Sequence, residues 1–241
     1  MKQEMKTLAA LIYPPQCMNC DVHIDAEYGL CPTCWAQTDF IIDHPCERCG
    51  RPLMGLAQEG DLCDDCLITP HAWSKGRAVL QYAGVGRSLI LSFKHGDRTD
   101  LAPVLGDWIT KAAISLITPE TLIAPVPLHW ARLLRRRYNQ SMLLSQRIAK
   151  KSCGQHICNL LTRTRRTKSL DGLSGIARRT IVENVMRVTP KHHGKIEGRP
   201  VLIIDDVMTT GATLDACAQA CLSAGASRVD VAVLARVARE R

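Results

Sequence analysis

Apolar residues are organised differently in the two parts of this 241-residue chain. Up to about Pro70 large apolar residues are few and the recurring element is cysteine. From Lys75 onward, apolar runs of strand length alternate with segments whose apolar residues recur at helical spacing. Arg77 to Tyr82 reads as a strand, Arg87 to Phe93 and Leu101 to Ile117 as helices, Thr121 to Val126 as a strand and Asn139 to Lys151 as a helix. His156 to Thr162 reads as a further strand and Val185 to Val188 as a short one. Val201 to Ile204, Leu214 to Ala224 and Val229 to Leu234 then form a βαβ unit, with Gly225 placed to stop its helix. Such alternation predicts an α/β fold, a parallel sheet with helices on both faces whose ligands bind beyond the carboxyl ends of the strands. Aromatic residues make up only 4% of the chain, so the core must come from Leu, Ile, Val, Ala and Met, which suits that architecture.

The run Val201 to Thr213, VLIIDDVMTTGAT, carries the most chemistry. A buried strand leads into two adjacent carboxylates, Asp205 and Asp206, and then into a small, hydroxyl-rich turn at Thr209, Thr210, Gly211, Ala212 and Thr213 that opens a helix. A strand-to-helix turn of this kind aims backbone N–H groups and Thr hydroxyls at a point where the helix dipole also favours negative charge, so a phosphate suits it. The two Asp residues cannot serve that phosphate. They make sense if the ligand has hydroxyls next to its phosphate, as a ribose 5-phosphate does. The plainer reading, acids that end a strand and threonines that cap a helix, does not require like charges side by side at a buried tip.

Before residue 70, eight of the twelve cysteines fall into four CxxC pairs: Cys17 and Cys20, Cys31 and Cys34, Cys46 and Cys49, Cys63 and Cys66. This is a duplicated zinc-ribbon knuckle. Each pair presents two thiolates, and two pairs close a tetrahedral structural site, so two zinc ions are expected, with sequential pairing favoured over crossed. So short a segment could hardly fold without metal. His23, His44 and His71 are redundant as ligands and read as surface or packing residues. The other four cysteines, Cys153, Cys158, Cys217 and Cys221, lie in apolar segments. The composition break places a head at residues 1–72 and the α/β domain at 73–241.

The formal net charge of +8 conceals a split. Residues 1–75 hold five Lys or Arg against eleven Asp or Glu, a net −6, whereas Arg132 to Arg199 holds seventeen against three, a net +14. A polyanion is the natural partner of such a stretch, and single-stranded DNA is one candidate, while the acidic head could dock on a protein. Base stacking there would be thin, with only Trp130 and Tyr138 nearby. The N-terminal apolar stretch is too short and badly flanked for a secretory signal, and no uncharged run reaches the roughly 18 residues of a membrane span. With thiols in metal-binding spacing, a cytoplasmic location without membrane partners is the expectation.

The VLIIDDVMTTGAT run resembles the phosphoribosyl pyrophosphate (PRPP) signature of type I phosphoribosyltransferases. Three more features resemble one branch of these, the ComF/GntX-like family associated with competence and DNA uptake. They are APVPLHWARLLRRRYNQS from Ala124 to Ser141, the Arg- and Ser-rich TRTRRTKSLDGLSGIARR from Thr162 to Arg179, and the cysteine-rich head. The resemblance implies a PRPP and Mg²⁺ site in which Asp205 and Asp206 accept the ribose hydroxyls and residues 209–213 hold the 5-phosphate. It also implies that the turn after the first core strand, with Val126, Pro127, Arg132, Arg136 and Arg137, faces pyrophosphate. Basic residues there would offset charge growing on the departing group. Arg137 stands where the family has Gly, Leu170 where its mobile loop usually has Gln, and Ile181 where an Asn is common. The family implies either phosphoribosyl transfer in nucleotide metabolism or a role in DNA uptake and handling; no catalytic base and no acceptor can be named. A module that only senses PRPP or handles single strands is the alternative, and the intact Asp–Asp–Thr–Thr–Gly run is what DNA binding alone would not need.

Overall fold

The computed structural model describes residues 14–26, 28–55, 58, 60–96, 98–128, 138–164 and 185–237. Its centre is a parallel sheet of five strands in the order β1-β7-β6-β2-β3. These are β1 (Gly76–Gln81), β2 (Leu122–Pro125), β3 (Gln155–His156), β6 (Pro200–Met208) and β7 (Arg228–Arg236). Helices α3 (Gly84–His95), α4 (Ala102–Ala113), α5 (Gln140–Lys151) and α7 (Ala212–Ser223) connect and cover them. A short α6 (His193–Ile196) precedes β6. In the cysteine-rich head, α1 (Pro32–Ala36) and α2 (Asp64–Ile68) are single turns that start at the second CxxC of each knuckle, elements that cysteine spacing alone does not announce.

The pleat of β6 explains its near-continuous apolar sequence. Val201 and Ile203 face one core, with Leu214, Cys217 and Cys221 of α7 and with Val231 and Val233 of β7. Leu202 and Ile204 face the other, with Leu105 and Ile109 of α4 and Leu144 and Ile148 of α5. A strand buried on both faces has no polar alternation to show.

Two elements differ most from the sequence expectation. The strand expected over 201–204 continues to Met208, because β7 runs beside it through the pairs Asp205 with Val233, Val207 with Ala235 and Met208 with Arg236. The strand expected over 156–162 is two. Gln155–His156 pairs with β2, and β4 (Leu161–Arg163) pairs antiparallel with β5 (Met186–Val188) in a separate sheet. The chain leaves the main sheet at Asn159, where the Thr189 hydroxyl donates to the Asn159 carbonyl at 2.6 Å and His192 Nε2 lies 2.8 Å from Asn159 Oδ1. Of the remaining cysteines, Cys217 and Cys221 are buried as their apolar surroundings suggest, but Cys153 and Cys158 are exposed.

The head covers the free edge of β1. Ile41 N–H donates to Val79 O at 2.8 Å and Gln81 N–H donates to Asp39 O at 2.9 Å, so residues 39–41 satisfy backbone groups that an edge strand would leave open. Glu47 ties the second knuckle to the start of β1 through Arg77 at 2.9 Å and Lys75 at 2.8 Å. Burial alone would raise the Glu47 carboxyl, but the two cations overcome it and hold it below its usual range.

The head also approaches β1 closely at Gly50, where φ is +68° and an added Cβ would lie 2.6 Å from the Ala78 nitrogen. Both the backbone angle and the backbone contact require glycine. Gly50→Ala should therefore lower stability by at least about 2 kcal/mol. Urea unfolding of the zinc-loaded variant is the measurement, and an unchanged midpoint would mean that the head does not bear on β1 in this way.

Candidate functional site

The carboxyl end of β6 builds the site. Past Met208 the chain turns through 209–211, and Gly211, at φ +80°, delivers it into α7; Asp215 N–H to Gly211 O at 2.8 Å closes the first helical turn. A shallow pocket of about 270 Å³, its open mouth included, is lined by Asp205 and by the whole run from Val207 to Leu214. Thr209, Thr210, Gly211, Ala212 and Thr213 thus share one concavity, at a helix N-terminus where the dipole favours an anion. Arg236, at the end of β7, braces the turn from behind: its Nη1 donates to the carbonyls of Met208 at 3.2 Å, Val237 at 2.8 Å and Thr209.

Asp205 and Asp206 lie inside the strand, so its pleat sends them to opposite faces. Asp205 Oδ1 accepts from the Ser141 hydroxyl at 2.9 Å and from Asp206 N–H at 2.9 Å. Asp206 Oδ1 is paired at 3.0 Å with Nζ of Lys94, near the end of α3. Burial, reinforced by the neighbouring Asp206 charge, pushes the Asp205 carboxyl up to about 7, against the opposing pull of the Asp206 N–H, Ser141 and Lys94. This acid changes charge near neutrality, while its neighbour sits in an ion pair.

Val126 and Pro127 follow β2, and Val126 N–H donates to Ile204 O at 2.9 Å, which sets them one residue from Asp205. Asn139 caps α5 through Ser141 N–H at 3.1 Å and also donates from Nδ2 to Val126 O at 3.1 Å. Tyr138 donates its hydroxyl proton to Phe93 O at 2.7 Å, a packing role rather than a free ring. Arg132, Arg136 and Arg137 lie outside the described residues, as does most of the Thr162 to Arg179 segment.

Ser141, Lys94, Arg236, His71, Trp73 and Asp215 belong to this neighbourhood without having been singled out as site residues in the sequence. His71 packs, as one of the two expectations had it, with its ring stacked on Trp73 at 4.0 Å, and its Nδ1 also lies 2.8 Å from Asp215 Oδ2. The only sequence signal was an acidic residue in the first turn of a helix, which is commonplace.

In the head, Cys17, Cys20, Cys31 and Cys34 form one quartet and Cys46, Cys49, Cys63 and Cys66 another, the sequential pairing. The Cys20–Cys31 and Cys49–Cys63 sulfurs are 3.7 Å apart. That is too far for a disulfide and close to the edge, about 3.8 Å, of a tetrahedron with 2.3 Å zinc–sulfur bonds. N–H groups of Cys31 and Cys63 donate to the Cys17 and Cys46 sulfurs at 3.3 Å, as suits thiolates. The donor sets fit two structural zinc ions.

Residues 8–67 match the family model of the double zinc ribbon domain, and residues 155–241 that of the phosphoribosyl transferase domain. The chain is 32% identical over 236 residues to the DNA utilization protein YhgH of Escherichia coli O157:H7, covering 94% of this chain and 99% of that one. It is 33% identical over 231 residues to competence protein F of Haemophilus influenzae, covering 92% and 96%. The chain belongs to this ComF family. A solved glutamine PRPP amidotransferase from B. subtilis, complexed with ADP and GMP, is similar at 15% identity and TM-score 0.40 over 60% of this chain and 30% of that one. The two family models between them match the cysteine-rich head and the part of the α/β domain from residue 155 onward. Among the described residues no helix is long and apolar enough to cross a membrane.

Two outcomes follow from this geometry. Native mass spectrometry should find two zinc ions per chain, with no disulfide among the eight knuckle cysteines. Asp205, whose folded value is raised, stabilises the protein only while protonated; its contribution is complete below about pH 4 and is lost as pH rises towards about 7. Relative to the wild type, Asp205→Asn should therefore gain thermal stability steadily from pH 4 to pH 7 and hold that gain above it. A difference independent of pH would remove the assignment of Asp205 as a raised acid.

Proposed function

We propose that this ComF-family chain binds PRPP at the carboxyl end of β6 as a phosphoribosyltransferase-like protein. The observation that supports it most directly is one shallow pocket that combines a helix N-terminus with hydroxyl-bearing turn residues and an acid from the adjoining strand. In this reading, residues 209–213 hold the 5-phosphate through N–H and hydroxyl donors, and Asp205 and Asp206 accept the ribose 2- and 3-hydroxyls. Val126 and Pro127 form the floor of the pyrophosphate side, and Arg132, Arg136 and Arg137 neutralise it. Mg²⁺, carried in with PRPP, supplies charge compensation for the pyrophosphate oxygens. Where turnover occurs, the ribose C1–oxygen bond breaks with its electron pair leaving on pyrophosphate, and an acceptor nucleophile takes its place at C1. No residue of the chain is assigned as base.

Lys94 and Ser141 define the resting state of this site. Both are bonded to the acids, so the ligand must share Asp206 with Lys94 and take up the second oxygen of Asp205. A protonated Asp205 is a poor hydroxyl acceptor, and PRPP affinity should rise with pH through about 7.

DNA handling is a compatible second role. The +14 stretch over 132–199 supports it, as do relatives named for DNA utilization and competence. A cytoplasmic setting, where thiols stay reduced, suits the two cysteine quartets.

Calorimetry with PRPP and Mg²⁺ tests the reading. Asp205→Asn combined with Asp206→Asn should weaken binding by at least about 2 kcal/mol while the fold is kept, since charge-assisted bonds are worth roughly 1.5 to 3 kcal/mol each. Unchanged affinity in the folded double variant would refute the ribose assignment.

A further inference from the structure

The two zinc knuckles differ in what they touch. Cys17, Cys31 and Cys34 of the first share a core with α3, α4 and α5. All four cysteines of the second share a core with Met208, Ala212 and Leu214, the ends of the turn that lines the pocket. Residues 71–73 bridge that knuckle and the turn. Arg48, between Cys46 and Cys49, accepts Trp73 Nε1–H on its carbonyl at 2.5 Å and donates from Nη1 to the His71 carbonyl at 3.1 Å. Trp73 is 1% exposed, and its ring lies parallel to that of His71 within 10°. Beneath them sits Gly211, whose missing Cβ would meet Trp73 Cη2 at 2.6 Å and His71 Cε1 at 3.2 Å.

Asp215 gives this packing a chemical consequence. It stands in the first turn of α7, where its charge competes with any phosphate for the same helix N-terminus. Both of its oxygens are held away: Oδ2 by His71 Nδ1 at 2.8 Å, and Oδ1 by Ala72 N–H at 2.9 Å. The bonds are well enclosed, with the His71 and Asp215 side chains 6% and 13% exposed.

We propose that the second zinc knuckle is the back wall of the phosphate loop, and that His71 is a positioning residue which holds Asp215 clear of the incoming phosphate. Loop order and phosphate affinity then depend on the metal of the second knuckle and not on that of the first. The affinity part rests on the PRPP reading above; the loop-order part does not.

Hydrogen exchange of the amides over 209–216, read without ligand, tests the wall. His71→Ala should keep two zinc ions and raise exchange there at least tenfold. Cys66→Ser should lose one zinc ion and do the same, whereas Cys20→Ser should lose one and leave the loop within twofold of the wild type. If Cys66→Ser fails to fold, Trp73→Phe, which removes the bond to Arg48, takes its place and should also raise exchange. Unchanged exchange in His71→Ala, or equal loosening by Cys20→Ser, overturns the proposal.

Calorimetry with PRPP and Mg²⁺ tests the steering of Asp215. His71→Ala should weaken binding about tenfold in the wild-type background but less than threefold in an Asp215→Ala background, and His71→Asn, which keeps a donor near Nδ1, should restore most of it. Equal losses in the two backgrounds would mean that His71 only supports structure, and would overturn the steering. A wild-type protein that binds no PRPP would remove the ligand reading and the steering with it, with the exchange result still deciding the wall.

Discussion

Pairing of β6 on both sides is the constraint on which the rest depends. With β2 along one edge and β7 along the other, the strand has no freedom to curl away, and its carboxyl end must emerge at the middle of the sheet. In a parallel sheet that end is where the strand hands over to a helix, so backbone donors converge there by construction. The price is a carboxylate pair placed where solvent is scarce. Asp205 meets it by holding its proton to about 7, and Asp206 by ion pairing with Lys94.

Much of this was legible in the sequence because it is local. The order of strands and helices follows from runs and spacings, and the four CxxC pairs supply the eight ligands; that they pair sequentially, which the spacing only favours, is seen in the two quartets. The acid pair and the 209–213 turn are contiguous, so one stretch of sequence holds them together. What was not legible depends on contacts between distant residues. Ser141 is 64 residues from Asp205, and His71 is 144 from Asp215. A serine at the start of a helix and a histidine after a knuckle each have an ordinary explanation in their own segment. The split of the 156–162 strand was hidden for a related reason: its apolar residues suit either sheet, and the bonds at Asn159 come from residues 189 and 192.

The head is more than an appendage tethered to the sheet. Its cysteines are counted among both hydrophobic cores, and its backbone completes the hydrogen bonding of β1. A small cysteine-rich unit has little apolar surface of its own to bury, so metal coordination and docking onto a ready-made sheet edge compensate each other's shortfall. The backbone bonds of residues 39–41 fix the register of that docking, and Glu47 adds ion pairs to Arg77 and Lys75 beside them.

The acids at the end of β6 are poised rather than settled. A half-buried carboxyl that titrates near neutrality stores unfavourable free energy when ionised, and in the proposed reading a ligand that brings hydroxyl donors and a divalent cation would release it. Lys94 acts in the opposite direction: it already satisfies Asp206, so any gain there is limited to what the ligand adds beyond the ion pair. The two carboxylates, identical in the sequence, therefore have unequal parts to play. In the proposed PRPP reading Asp205 has the larger change in environment to offer, and most of the pH dependence of the site should trace to it rather than to its neighbour.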